Sequence, residues 1–111
     1  MATTTTPPDG ITQVTAQYEA RKTSGATPET DTSTNGNTQL THAAAFLMIK
    51  NPAKMQLEIN CPDGWDVPTW KKYCAMSYTD RLALAGAFIA AEIDRALYVE
   101  SQKTASPAAN S

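Results

Sequence analysis

Residues 82–91 read LALAGAFIAA, ten consecutive residues without a polar side chain. Asp80 and Arg81 precede the run and Glu92 and Asp94 follow it, so it is half the length of about 20 residues needed to span a bilayer. The run therefore predicts a buried helix. Ser77-Tyr78-Thr79-Asp80 resembles a capping box with Asp in the usual Glu place, which predicts a long helix from Asp80 to about Gln102. Leu82, Ala85, Gly86, Ile89, Ile93, Ala96 and Leu97 recur at the three-and-four spacing of a core-facing stripe. The opposite side holds Ala83, Leu84, Ala87, Phe88, Ala90 and Ala91, so the first half of the helix has no polar face. A helix apolar all round belongs in the middle of a large core. A chain of 111 residues is one domain at most and has little material to surround such a rod. Gly86 with Ala90, and Ala83, Ala87 and Ala91 at spacings of four, would admit another helix at close range, with a neighbouring subunit as the simplest source.

The rest of the folded part reads as follows. Thr41 is placed to cap a helix from His42 to Lys50, stopped by Asn51-Pro52. In Lys54–Asn60, Met55, Leu57 and Ile59 alternate with Lys54, Gln56, Glu58 and Asn60, the clearest strand pattern in the chain. A lone strand leaves its backbone groups unpaired, so it needs a partner in the segment around Val14 or in another subunit. Pro62-Asp63-Gly64 predicts a turn. Asp66 then serves as the N-cap of a helix to about Met76, with Pro68 in its first turn; Val67, Trp70, Tyr73 and Cys74 line the inner side while Lys71 and Lys72 point away.

Before residue 38 the composition is Thr-rich, and Ser24–Gln39 carries no side chain larger than Ala26 suited to a core, which predicts a flexible linker. Within this arm, Ile11, Val14 and Tyr18 fall at helical spacing behind Pro-Asp-Gly. Val14, Ala16, Tyr18 and Ala20 also alternate as in a strand; a short helix over 11–22 is favoured, marginal alone and in need of a surface to dock on. The fold class that results is mainly α: a small three-helix module with one short β-strand and an extended N-terminal arm. Its divisions are an arm over 1–37, a helical domain over 38–104 and a flexible tail over 105–111.

Candidate chemistry is sparse. Cys61, Cys74 and His42 lack the short paired spacing of a structural zinc site, so no metal and no cofactor is expected. A cysteine nucleophile would need an orienting group and an oxyanion pocket that leave no trace here, and His42 opens its helix, where positive charge is disfavoured. Asp63 and Asp66 beside Trp65 are explained by turn and cap duties. Trp65, Trp70, Lys71, Lys72, Tyr73 and Tyr78 combine rings with cations, as in single-strand nucleic-acid binding, but the net charge of -2 and the inward side assigned to Trp70 and Tyr73 argue against it. No Gly-rich phosphate loop, H-E-x-x-H or G-x-S-x-G occurs, so neither a catalytic residue nor a small-molecule substrate is assigned.

The N-terminus lacks a basic start followed by an apolar run, so a cytoplasmic or virion-associated location is expected, without a cleavable signal or a membrane span. The two cysteines, thirteen positions apart, are expected as thiols in a reducing compartment. The functional expectation is a non-enzymatic structural or assembly subunit of a larger complex, a phage or viral particle among the candidates, binding other protein subunits of the same or a different chain. The alternative is a small homodimeric helical adaptor; a nucleic-acid module or a cysteine enzyme ranks below both. The residues expected at the interface are Ile11, Val14, Tyr18, Trp65, Ala83, Gly86, Ala87 and Ala90, with Trp65 equally able to lid its own core.

Overall fold

The computed structural model describes residues 8–50 and 60–104. Among them are five helices: α1 (Gly10–Thr23), α2 (Pro28–Asn35), α3 (Gln39–Leu47), α4 (Val67–Cys74) and α5 (Tyr78–Thr104). The described residues contain no strand, and the strand expected over Lys54–Asn60 lies, but for Asn60, outside them. The mainly α expectation holds, with five helices in place of three. α5 has 27 residues, about 40 Å at 1.5 Å per residue, and is the spine on which α1, α2 and α3 all pack.

Local chemistry explains where the helices begin. Asp9 caps α1 by accepting from the Thr12 N–H at 2.9 Å, and the helix closes on Arg21 and Lys22 in its last turn, ahead of Gly25 with φ 105°. α4 follows its expectation: the Trp65 N–H reaches the Pro62 carbonyl at 3.1 Å, Gly64 takes φ 80° in the turn, and Asp66 accepts from the Thr69 N–H at 3.0 Å. Trp70 and Cys74 are buried and Lys71 and Lys72 exposed as expected, whereas Val67 is exposed and not on the inner side. α3 both starts and ends earlier than expected, spanning Gln39–Leu47 in place of His42 to Lys50. Thr38, with φ 73°, stands at its N-cap, and the Thr41 hydroxyl donates back to the Thr38 carbonyl at 3.1 Å instead of capping.

The linker expected over Ser24–Gln39 is corrected by α2. Thr27 and Thr30 form a capping box around Pro28. The hydroxyls of Thr32 and Thr34 each donate to the carbonyl four residues back at 2.8 Å, so the Thr-rich surface is satisfied by its own helix. Polar rather than apolar side chains anchor it. Asp31 and Asn35, one turn apart, are both buried; Asp31 receives both terminal nitrogens of Arg21 at 3.1 and 3.0 Å and the Asn35 amide at 2.8 Å. Such charge-assisted bonds offset ordering entropy as apolar burial would, a route that a search for greasy side chains misses.

The roll of α5 about its axis is the main departure from expectation. Arg81, Ala83, Leu84, Ala85, Ala87, Phe88 and Ala91 face inward, and of the stripe expected in the core only Ala85 is buried. Two side chains decide this. Arg81, 3% exposed, donates to the carbonyls of Leu47, Ile49 and Lys50 at and just past the end of α3 and to Met76 before α5. Phe88 packs edge-on against Trp65 at 5.2 Å and Tyr73 at 6.2 Å. Both project to one side of the helix, and with that side turned inward the Leu82–Ile89–Ile93 side turns out.

Candidate functional site

α5 presents to solvent a row of Leu82, Ile89, Ile93 and Leu97, exposed by 37, 42, 54 and 63%. Steps of seven, four and four keep these residues on one face. Exposed Tyr78 precedes the row, Glu100 follows it, and Gly86, Ala90 and Ala96 fill the spaces between the large side chains. α1 borders the face along one side. Val14 sits so close to Gly86 that a β-carbon there would lie 2.7 Å from its Cγ2, and the Tyr18 hydroxyl donates a short hydrogen bond to Asp94. The exposed fractions together amount to about two whole Leu or Ile side chains, whose complete burial would release on the order of 3–6 kcal/mol per chain.

Beside this face lies a cleft of about 430 Å³ between α1, α2 and the second half of α5, lined by Tyr18, Arg21, Asp31, Asp94, Leu97 and Tyr98 among others. Its polar groups are largely committed to one another. Donation to Asp94, helped by burial, pushes the Tyr18 phenol above its ordinary pKa. Arg21 is bidentate on Asp31 while its guanidinium carbon lies 5.2 Å from the centre of the Phe88 ring. The chain of contacts continues: Asn35 bridges Asp31 to the indole N–H of Trp65, which donates to it at 2.7 Å. This network joins α1, α2, the corner before α4 and α5 into one body.

The residues expected at an interface separate into two groups. Val14 and Tyr18 meet α5 of their own chain, and Ala83 and Ala87 are buried in it. Gly86 and Ala90 are half-buried, and Ile11 is 78% exposed. Trp65 is half-buried in an aromatic group with Phe88 and, at 6.2 Å, Trp70. The residues that form the outward row, Leu82, Ile89, Ile93 and Leu97, are those the periodicity assigned to the core. Periodicity located the apolar face correctly; it carries no information about which way that face points.

The other candidate groups have structural tasks. Cys61 and Cys74 form no disulfide, and the Cys61 thiol donates to the Trp65 carbonyl at 3.6 Å. Burial, assisted by the charge of Asp66, pushes the Cys61 pKa up, away from the thiolate form that a nucleophile uses. His42 donates from Nε2 to the Asn60 carbonyl at 2.7 Å and stacks on Phe46. Among the described residues no three His, Cys, Asp or Glu side chains group to hold a metal ion, and no helix is long and apolar enough to cross a membrane. No protein-family model matches this chain, and no curated protein or solved structure matches it either.

Proposed function

We propose that this chain is an assembly protein, a non-enzymatic subunit that joins a protein complex through the outward face of α5. The observation that carries this reading is the exposed row Leu82, Ile89, Ile93 and Leu97 on the longest helix. A contiguous apolar row rimmed by polar residues is the kind of surface that protein contacts use. Exposed Ala96, between Ile93 and Leu97, leaves a groove that a partner side chain can enter, while the groove over Gly86 is filled by Val14 of the same chain. The polar lock between Arg21, Asp31, Asn35 and Trp65 supports the same role, because a rigid body presents its face without an ordering cost at the moment of binding. Particle assembly of the viral kind and a small helical adaptor are both settings in which such a face is used.

The test is Ile93→Asp. Ile93 is more than half exposed, so the change should alter folding stability by less than about 1 kcal/mol, measured by urea denaturation. It should abolish association in solution, followed by light scattering, together with the binding of a hydrophobic dye. A wild-type chain that is monomeric and binds no dye would refute the reading.

A further inference from the structure

We infer that α1 and α2 form a detachable cover, a helix pair that lifts off α5 as one unit while α3, α4 and α5 stay folded, and so bares a stripe of small residues on α5. The hydrophobic core sets the boundary. Its buried side chains, Leu40, Leu47, Trp70, Cys74, Leu84 and Phe88 among them, come from α3, α4 and α5, and none of the half-buried apolar side chains packed against them comes from α1 or α2. α1 has no buried residue, and α2 buries only Asp31 and Asn35. Within the pair, Arg21 of α1 grips Asp31 of α2 with two charge-assisted bonds, Asn35 adds a third to the same carboxylate, and the Ala26 N–H closes the connection on the Arg21 carbonyl at 2.9 Å. Across to the core run Val14 on Gly86, the Tyr18 hydroxyl on Asp94, the Arg21 guanidinium on the Phe88 ring and the Asn35 oxygen on the Trp65 indole. No fully buried apolar side chain of the pair takes part in that seam.

The pair ends at Gly36-Asn37-Thr38, where Thr38 holds φ 73°, a left-handed conformation that β-branched residues rarely adopt. Helical geometry is interrupted there, so the joint can turn without disturbing α3. What the pair covers is also distinct from the core. Ala83 and Ala87 are buried yet stand outside the core cluster. Ala83 lines a gap with Gly10 and Val14, Ala91 borders Tyr18 and Arg21, and Ala87, one turn from each, lies on the same line under α1. Opening bares Ala83, Gly86 and Ala87 and frees the indole N–H of Trp65 from its acceptor. Once detached, α1 with 14 residues and α2 with 8 are too short to hold helical structure in water, so opening also melts them. The closed form is the single body described above, and the cover does not depend on the docking role proposed for α5.

Native-state hydrogen exchange of the full chain tests this. The central amides of α1 and α2 and the indole N–H of Trp65 should exchange through a common opening, with protection at least about tenfold below that of the amides of residues 84–91. Their dependence on low urea should be weaker, because the opening exposes less surface than global unfolding. Thiol labelling gives a second reading. In a Cys61→Ser background, Ala87→Cys should react at least about tenfold faster than buried Cys74, since only Cys74 waits for the core itself to open. Equal protection and equal urea dependence in α1, α2 and α5 would overturn the cover by showing one cooperative unit. Separate openings of α1 and α2 would overturn the pair as a unit, and an Ala87→Cys thiol that reacts no faster than Cys74 would overturn the uncovering of α5.

Discussion

Replacing Arg81 by Met should unfold this protein more readily than any surface change. The guanidinium is almost fully buried, no carboxylate pairs with it within salt-bridge distance among the described residues, and its partners are backbone carbonyls: Leu47 at 2.9 Å, Met76 at 3.3 Å, and those of Ile49 and Lys50. Three of the four lie at or just beyond the C-terminus of α3, where no intrahelical donor is available and the helix dipole favours a cation. Bonds to a charged donor contribute roughly 1.5–3 kcal/mol each, against several kcal/mol for desolvating the cation. Methionine fills much of the volume, so the loss is dominated by carbonyls left without a donor, at about 1–3 kcal/mol for each that water cannot reach. The Leu47 carbonyl lies deepest, and with the dipole contribution the expected loss is about 3–4 kcal/mol. Typical domains have a total of about 5–15 kcal/mol, so the midpoint in urea should fall by a large fraction and Tm by on the order of 10–20 °C. Lysine should recover only part of this, since one ammonium cannot reach the carbonyls that a planar fork spans. Urea denaturation followed by circular dichroism decides it. A loss below about 1 kcal/mol for Arg81→Met would show that Arg81 does not hold α3 to α5 and would remove the account given for the roll of α5.

Three further predictions follow from the packing. Asp31→Asn should cost about 1–2 kcal/mol, because Arg21 keeps partial access to water, and Trp65→Phe about 1 kcal/mol; the two should be sub-additive in a double-mutant cycle, since both act through Asn35. The Tyr18 phenol has a folded pKa raised above its ordinary 10.0, so the stability it adds through Asp94 is fully present below that value and lost as the pH rises through the folded one; Tyr18→Phe should lack this alkaline dependence in denaturation measured across the same pH range. Gly86→Ala should be close to neutral alone, its helix-propensity gain of about 1 kcal/mol being cancelled by the clash with Val14, and should become stabilising by roughly that amount in a Val14→Ala background, as thermal melts would show.

Features governed by neighbours in sequence were legible without coordinates. Asp66 capping α4, the Pro62 to Trp65 turn and the helical reading of the Ile11–Lys22 segment follow from contacts within a few residues, and the side of α4 that carries Trp70 and Cys74 was legible from their helical spacing. α2 was not legible, because its anchors Asp31 and Asn35 acquire meaning only when Arg21, ten positions earlier, and Trp65, thirty positions later, arrive beside them. Alone, the segment has nothing to bury. The candidate site was legible in part: the apolar row on the long helix was visible, but the expectation that one small chain could not surround residues 82–91 is corrected, since of that run only Leu82 and Ile89 are exposed and the more exposed Ile93 and Leu97 lie beyond it.

The sequence by itself determined that α5 is a helix, where it begins to within two residues, and that it carries an apolar row, since helix propensity, capping and hydrophobic periodicity are local properties. Only the tertiary structure decided which side of that helix is outside. Arg81 and Phe88 find partners more than thirty and more than twenty positions away, at the end of α3 and at Trp65, and satisfying both turns the Leu82–Ile93 side to solvent. Periodicity is unchanged when a helix rotates about its own axis, so the angle is set by contacts that exist only once the chain has folded.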